Sequence, residues 1–309
     1  AYDPFNKLIE IPKRSKERYK IMTSEMPKGG KLSLDMMYKT AGIQINYDYT
    51  SEEDLKKKFK IGNYLAPLTI ALFANSPFNE NKLSGFLSYR GKVWQETNRG
   101  GIMPITFENV NFEKYIDEAI NYPILFLKRR GKYYSPNGQT FKDFLNGNLS
   151  FLKGEKPTLE DFENHLGTIF TEIRLKQVIE FRSLDTCNFG CICNGPSFFT
   201  GLIYGSLDET YEIIKNWKKE EVMDAYLNAP KQGLNTLLKN KKLIDWAKIF
   251  LDISKKGLDK RNELNKSGKN ETIYLKHIEE IISNKKTRAE MLIEQYNKTI
   301  KLDFLINHY

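Results

Sequence analysis

Long apolar runs, prolines and a secretion signal are scarce or missing in this sequence of 309 residues. The longest apolar run, 65–74, is shorter than the stretch of about 20 residues that a membrane-spanning helix needs, so no membrane span is predicted. No charged start followed by an apolar segment is seen, so no secretion signal is predicted either. With 11 prolines and 40% hydrophobic residues, the composition predicts a folded globular protein of one large domain or two.

Cysteine is also scarce, and its three copies, Cys187, Cys191 and Cys193, lie within seven residues. An odd, local set is a poor framework for disulfides, so we expect a protein of the reducing cytoplasm. A zinc site is disfavoured because it would need a fourth ligand and the spacing is not C-x-x-C. The sequence leaves open whether these thiols are regulatory or inert.

Three familiar motifs are missing: the P-loop, the G-x-G-x-x-G turn and H-E-x-x-H. Phosphate chemistry, if present, would therefore have to depend on carboxylates and arginines on a sheet. His165 precedes the most charged stretch of the chain, and we expect it to be a structural, hydrogen-bonding histidine.

Positive charge is in excess, with 48 Lys and Arg against 39 Asp and Glu, a net charge of +9. The cations are spread through predicted helices and form no basic tail, so binding to a nucleic acid is the weaker hypothesis. Small anionic substrates are the alternative account of this charge.

The stretch 171–186 alternates with a period of two and is predicted to be one continuous β-strand. Its apolar face is formed mainly by isoleucine, leucine and phenylalanine. Its other face carries the charged residues Glu172, Arg174, Lys176, Glu180 and Arg182. A solvated face would show the same alternation. Carboxylates and cations that alternate along a strand are, however, typical of sites where Mg²⁺ and fixed cations hold phosphate oxygens.

A second stretch, 40–48, repeats this design. Gly42, Gln44, Asn46 and Asp48 share one face with Thr40, and apolar residues form the other. Amide and carboxylate oxygens at every second residue suit a hard cation or an amino-acid substrate. Two such strands predict an antiparallel sheet whose concave side is an active site.

Arginines outside the strands are further candidates. Arg90 and Arg99 lie in the glycine-rich stretch 86–107, and Arg18 lies on a short predicted helix. A guanidinium can hold a carboxylate or phosphate in a two-pronged geometry, although exposed loop arginines would look the same in sequence. Beyond Ser197, apolar residues spaced by three and four predict a helical subdomain to which no chemistry is assigned.

Taken together, several stretches resemble the plant-type and proteobacterial glutamate–cysteine ligases. They are RYKIM with MPKGG (18–30), LDMMYKTAGIQINYDY (34–49), LTIALFANSPF (68–78), GFLSYR with VW (85–94), FKDFLNG (141–147) and ENHLGTIFTEIRLKQVIEFRSLD (163–185). They occur in family order over most of the first 200 residues.

This resemblance implies a reaction and a fold. ATP would phosphorylate the γ-carboxylate of glutamate, and the amine of cysteine would attack the γ-glutamyl phosphate. The implied fold is α+β and glutamine-synthetase-like: a curved antiparallel sheet forms an active-site funnel, helices flank it, and two or three Mg²⁺ ions lie between ATP and glutamate. Residues 1–200 would form the C-terminal part of the catalytic domain, and 201–309 a helical subdomain of the same unit.

The resemblance also assigns roles to residues. Glu180 is the first candidate metal ligand, with Glu172 and Gln44 beside it. Arg182 and Arg90 are the candidate catalytic residues. Substrate binding falls to Arg18, Arg90 and Arg99, and nucleotide binding to Gln44, Asn46, Arg174 and Lys176.

Three departures from the family pattern keep alternatives open. The family's N-terminal glutamate-rich strands have no counterpart here, so we expect the isolated chain to have little or no ligase activity. The loop 96–101 is short and lacks aspartates, and Leu125 stands where the family has a tyrosine. A related ligase that uses another amine, or an inactive or nucleic-acid-binding fragment, is the alternative. The oligomeric state stays open.

Overall fold

A computed structural model describes residues 1–306 of the chain. Helices dominate the described part, and 3-10 turns connect several of them. The helices are α1 (Glu17–Glu25), α2 (Ser33–Lys39), α3 (Glu52–Tyr64), α4 (Ala66–Leu72), α5 (Tyr89–Gln95), α6 (Phe112–Ile120), α7 (Phe141–Leu145), α8 (Leu159–Leu166), α9 (Asn194–Thr200), α10 (Leu207–Ile214), α11 (Lys219–Gln232), α12 (Leu243–Arg261), α13 (Lys276–Asn284), α14 (Arg288–Thr299) and α15 (Asp303–Ile306).

The strands form one three-stranded antiparallel sheet and three short hairpins. They are β1 (Gly42–Tyr47), β2 (Phe78–Asn79), β3 (Lys82–Leu83), β4 (Leu127–Arg129), β5 (Lys132–Tyr134), β6 (Ile173–Leu175), β7 (Ile179–Asp185), β8 (Leu237–Leu238) and β9 (Lys241–Lys242). The larger sheet has the order β1-β7-β6, so β7 lies in the middle. The prediction of an α+β fold is confirmed.

The stretch 171–186 is a hairpin, so the prediction of one continuous strand is wrong. Strands β6 and β7 pair antiparallel across a turn at 176–178, with Leu175 opposite Ile179 and Arg174 opposite Glu180. The alternation of side chains survives because residues directly opposite each other in an antiparallel pair share a face. The charged residues therefore face one another across two strands instead of following one line.

Strand β1 shows the predicted alternation: Gln44 and Asn46 are exposed, and Ile43, Ile45 and Tyr47 are buried. Its pairing with β7 contains an irregularity. Ile43 pairs with Leu184 and Ile45 with Phe181, so one residue of β1 faces two residues of β7. This bulge shifts the alternation of side chains along β7 by one residue relative to β1.

The apolar face of the sheet packs on α3 and α4. A Cβ atom added at Gly62 of α3 would lie 2.5 Å from Cδ1 of Ile173 and 2.8 Å from Cε1 of Phe181, so this close approach requires glycine. Ser183 and Thr69 of α4 join their hydroxyls at 2.7 Å. Helix α3 is capped by Ser51, whose side chain accepts a hydrogen bond from the Asp54 amide.

One hydrophobic core combines residues from both sides of position 200. Phe181 packs edge-on against Phe199, and Phe198 and Phe250 belong to the same buried cluster. The division into 1–200 and 201–309 stays a prediction, and the last three residues of the second range lie outside the described residues. Among residues 1–306, no helix is both long and apolar enough to cross a membrane.

The cysteines differ from the expectation. Cys187 and Cys191 form a disulfide, and Cys193 is a free, exposed thiol. The expectation that the cluster would be a poor source of disulfides is wrong for this pair. A separation of four residues lets a short loop bring the two sulfurs together.

The position of Phe181 in the core leads to a prediction about the stability of the protein. Its ring is fully buried between Tyr47 and Phe199, with centroid distances of 5.3 and 4.7 Å. We expect Phe181→Ala to lower the free energy of unfolding by about 3 to 5 kcal/mol, measured by urea denaturation. The control is Phe189→Ala, since Phe189 is 94% exposed and its loss should change little. Equal stability of the two variants would contradict this packing.

Candidate active site on the polar face of the sheet

Arg90 is the arginine that the fold holds most firmly against the sheet. Helix α5 carries it, and Ser88 caps that helix by accepting a hydrogen bond from the Gly91 amide. Arg90 is 3% exposed, and its Nη2 donates to the main-chain oxygen of Arg182 at 2.7 Å. A Cβ atom at Gly42 would lie 2.6 Å from the same Nη2. Glycine at position 42 of β1 therefore leaves room for the guanidinium.

Asp185 supports this arrangement, and the sequence analysis did not identify it. Its carboxylate accepts hydrogen bonds from the Asn75 amide at 2.9 Å, from Ser76 Oγ at 2.7 Å and from Ser88 Oγ at 3.0 Å. It lies 3.8 Å from Nη1 of Arg90. Strict alternation would place it on the apolar face. The bulge in β7 brings it opposite Gly42 instead.

Glu180 is the centre of an ion-pair cluster. Its carboxylate lies 2.5 Å from Nε of Arg174, 3.3 Å from Nη1 of Arg182 and 3.8 Å from Nζ of Lys176. Arg174 also donates to the main-chain oxygens of Gly167 and Ile169, so its guanidinium is largely occupied. These contacts give no support to a nucleotide-binding role for Arg174, which stays a prediction.

The amides of β1 extend this cluster. Nη1 of Arg182 donates to Oε1 of Gln44 at 3.1 Å, and Nε2 of Gln44 donates to Oδ1 of Asn46 at 3.2 Å. These hydrogen bonds and ion pairs therefore connect six of the predicted site residues on one face. They are Gln44, Asn46, Arg174, Lys176, Glu180 and Arg182.

Trp94 links the two candidate catalytic arginines. The guanidinium carbon of Arg90 lies 4.9 Å from its ring centroid and that of Arg182 lies 5.1 Å away. Both distances are within the range of a cation–π contact. Trp94 is one turn beyond Arg90 on α5, and a helix places such residues side by side. Trp94 belongs to the stretch 85–94 that resembles the family, and no role was predicted for it.

Glu172 is the second carboxylate of this face, directly across from Arg182. It is 1% exposed, and its Oε1 accepts a hydrogen bond from the hydroxyl of Tyr226 at 2.7 Å. Burial raises the pKa of Glu172, while Arg90, the Tyr226 hydroxyl and Arg182 act in the opposite direction. Tyr226 belongs to α11, so the helical part contributes to the site although no chemistry was assigned there.

Several buried polar atoms around Trp94 have no hydrogen-bond partner within residues 1–306. They are Nε of Arg90, Nε of Arg182, Nε1 of Trp94 and Oε2 of Glu172. Three of the four are donors. Burial also lowers the pKa of Arg182 to about 10, and Arg174 acts in the same direction. Because buried donors without acceptors are costly, this cluster is suited to an oxyanion that would accept from them.

The other two predicted arginines lie elsewhere. Arg18 is exposed on α1 and lines a cleft of about 270 Å³ together with Lys176, Tyr19 and Phe170. Arg99 is buried and donates to the main-chain oxygen of Pro123 and to Thr168 Oγ1. Its burial lowers its pKa to about 10. The placement of Arg99 gives no support to a role in substrate binding, which stays a prediction.

The carboxylates do not form a metal centre by themselves. In the described part of the chain, no three His, Cys, Asp or Glu side chains are grouped so that they could hold a metal ion. Glu180 is paired with cations, and the Oε1 of Gln44 accepts from Arg182. The residues present therefore do not fit Mg²⁺ on their own, and the metal roles of Glu180, Glu172 and Gln44 stay predictions.

His165 is structural, as expected. Its Nε2 lies 2.8 Å from the main-chain oxygen of Ala119, and its ring stacks on Phe141 at 4.8 Å. Burial lowers its pKa to about 4, so the ring is neutral at physiological pH.

The fold is α+β, and one face of its sheet carries two buried, partly unpartnered arginines beside ion-paired carboxylates. Comparison with known proteins gives the family. The chain belongs to glutamate-cysteine ligase family 2 (GCS2), whose family model matches residues 4–306.

Its relatives include chloroplastic glutamate–cysteine ligases of plants. The enzyme of Solanum lycopersicum is 40% identical over 302 residues, which cover 96% of this chain and 57% of that protein. Glutamate–cysteine ligase B of Oryza sativa subsp. japonica is 40% identical over 301 residues, which cover 96% of this chain and 60% of that protein. The chain thus spans less than two thirds of the length of these relatives. The resemblance read from the sequence motifs is confirmed.

The raised pKa of Glu172 predicts a pH dependence. As pH rises above 4.5, the ordinary value, the unfolded chain releases this proton before the folded chain does, so this group makes the folded state progressively less stable. Glu172→Gln lacks this effect. We expect its stability relative to the unmodified protein to increase as pH rises above 4.5, measured by urea denaturation at several pH values.

The matched control is Glu263→Gln, since Glu263 is exposed. Its stability relative to the unmodified protein should not vary with pH. If the difference for Glu172→Gln were equally flat, the pKa of Glu172 would not be raised by folding.

Proposed function

We propose that this chain takes part in the ATP-dependent ligation of L-cysteine to the γ-carboxylate of L-glutamate, through γ-glutamyl phosphate. Family membership supports the reaction class. The observation that carries the proposal is the buried pair Arg90 and Arg182, stacked on Trp94 with both Nε atoms unpartnered within residues 1–306. Such donors suit the oxygens of a carboxylate or an acyl phosphate.

The chemistry needs stabilised negative charge more than a nucleophile. When a phosphoryl group moves from ATP to a carboxylate, charge develops on its oxygens, and fixed cations stabilise that charge. Arg182 and Arg90 are positioned before the substrate arrives, because Gly42, Trp94 and Asp185 fix the pair. They therefore lose little free energy to reorientation during the reaction.

Substrate and nucleotide would occupy neighbouring regions. Lys176 contacts Glu180 on the sheet face and also lines the cleft that contains Arg18. We assign glutamate to the arginines of the sheet face with Arg18 at its margin, and the phosphates of ATP to Lys176, Gln44 and Asn46.

Mg²⁺ remains part of the proposal through the family resemblance alone. A bound Mg²⁺ would supply positive charge that offsets the negative charge of the phosphate groups. Glu180 could contribute an oxygen only by exchanging one of its contacts with Arg174, Arg182 or Lys176. No role assigned here to the arginines depends on the metal.

The finer fold is also a proposal. Strand β1 pairs with β7 on one side, and within residues 1–306 no strand pairs with its other edge along Gly42–Tyr47. We propose that this sheet is part of a larger, curved, glutamine-synthetase-like sheet that forms a funnel. A cytoplasmic location stays a prediction, and the relatives described above are named chloroplastic.

Replacing either arginine of the pair tests the proposal. Arg90→Lys and Arg182→Lys keep the charge but lose the guanidinium. We expect each to lower kcat/KM by about 10² to 10³ fold, because a preorganised donor to the developing charge is removed. The measurement is cysteine-dependent phosphate release from ATP and glutamate. Unchanged turnover would remove that arginine from the reaction.

The control is Arg130→Lys, which makes the same replacement at an exposed arginine outside the site. Arg130 is exposed in the turn between β4 and β5, so its replacement should leave kcat/KM unchanged. Circular dichroism would show that all three variants keep the fold.

A related ligase that uses another amine is the second candidate. Leu125 is 2% exposed and belongs to the same buried cluster as Trp94 and Val93. It therefore lies in the same apolar layer as Trp94, whose ring contacts the two arginines. Leu125 stands at the position where the family has a tyrosine.

A panel of amines separates these two candidates. With glutamate and ATP held constant, we expect phosphate release to depend on cysteine more strongly than on glycine, alanine or 2-aminobutyrate. The expected order follows from the cysteine ligases among its relatives. A larger kcat/KM with a different amine would support the second candidate and reject cysteine.

A further inference from the structure

A second cavity lies outside the group of sheet-face residues. It has a volume of about 300 Å³ and is formed where the loop after β7 meets α9, α13 and α14. Polar and aromatic side chains line it, among them Asn188, Asn194, Tyr274, Lys276, His277 and Arg288. None of the residues assigned above to substrate, nucleotide or metal lines it.

Two buried donors in this cavity have no acceptor. Asn194 is 3% exposed, and its Nδ2 has no hydrogen-bond partner in the part of the chain that the structure describes. The same holds for Nε of Arg288, which lines the cavity from the first turn of α14. A buried donor without an acceptor costs about 1 to 3 kcal/mol. A ligand with acceptor oxygens would remove this cost.

The charge of the lining favours an anion. Lys276 and Arg288 are cationic, and Glu280 is the acidic residue of the lining, which also contains His277. Glu280 is 52% exposed in its side chain and lies 3.5 Å from Nδ1 of His277. Its charge is thus placed at an exposed position next to His277, whereas the unpartnered donors are buried. Phosphate and carboxylate groups match such a set of donors and cations.

The inner end of the same region reaches the sheet. A narrow space lined by Asn194 and Arg288 is also lined by Asn75 and Asp185. Asp185 is the residue that accepts from Ser76 and Ser88 beside Arg90. The cavity is therefore distinct from the sheet-face site, and Asp185 contacts both the narrow space and Arg90.

We propose that this cavity is a second binding site, for a small oxyanion of the phosphate or carboxylate type, which Arg288 and Asn194 hold. The loop closed by the Cys187–Cys191 disulfide forms one wall, since Cys191 lines the cavity. The site is separate from the ligase reaction proposed above and does not depend on it.

Titration calorimetry with two probes tests this site. Inorganic phosphate and succinate are titrated separately into the full protein without ATP. We expect saturable binding of at least one probe, which identifies the oxyanion class. Arg288→Gln should weaken this binding by about tenfold or more, since a charged hydrogen bond is lost. Lys276→Gln, at an exposed position, should weaken it by a smaller factor and serves if Arg288→Gln does not fold.

Two controls assign the binding to this cavity. Arg261→Gln removes the same charge from α12, outside the cavity lining, and should bind as tightly as the unmodified protein. Arg182→Lys alters the sheet face and should also leave this binding unchanged. Absence of saturable binding of both probes up to about 10 mM would overturn the proposal. Equal affinity of the unmodified protein, Arg288→Gln and Lys276→Gln would overturn it as well.

Discussion

The contact on which the site depends is that of the Arg90 guanidinium with the backbone of the sheet. It joins α5 to both β1 and β7, since it lies against Gly42 and donates to the main-chain oxygen of Arg182. A buried cation is costly unless it is paired and hydrogen-bonded. Here Asp185 and the ring of Trp94 compensate for the lost water. Any larger side chain at position 42 would displace the guanidinium, and with it the support of Arg182.

The sequence allowed a correct prediction of which side chains share a face of the sheet. It did not allow a prediction of the turn that divides the stretch 171–186 into β6 and β7. Gln44, Asn46, Glu180 and Arg182 do share a face, because alternation depends only on the local backbone. The turn at 176–178 was missed since it contains no glycine, proline or asparagine to mark it. Asp185 was missed for another reason. A bulge changes the phase of a strand, and the pattern of apolar residues does not reveal where one occurs.

Residues of the same type acquired different roles through tertiary contacts. Arg90 and Arg99 lie in one glycine-rich stretch and were equivalent in sequence, yet Arg99 binds the oxygen of Pro123 while Arg90 lies on the sheet. Tyr226 lies beyond Ser197, in the region predicted to be a helical subdomain without chemistry. Its ring is indeed buried, but its hydroxyl reaches Glu172 across more than fifty positions of the chain. Periodicity identifies a buried face, and it does not show which polar atom at that face finds a partner.

Glu180 is already paired with the arginines of this face. Glu180 contacts three cations, and breaking a buried pair by removing one partner costs about 3 to 5 kcal/mol. A metal ion would have to replace that interaction before Glu180 could bind it. A substrate oxyanion faces no such competition, because the Nε atoms of Arg90 and Arg182 have no acceptor within residues 1–306. Under the proposed function, the arginines of this face would therefore bind anionic oxygens, with Glu180 holding Arg174 and Arg182 in place.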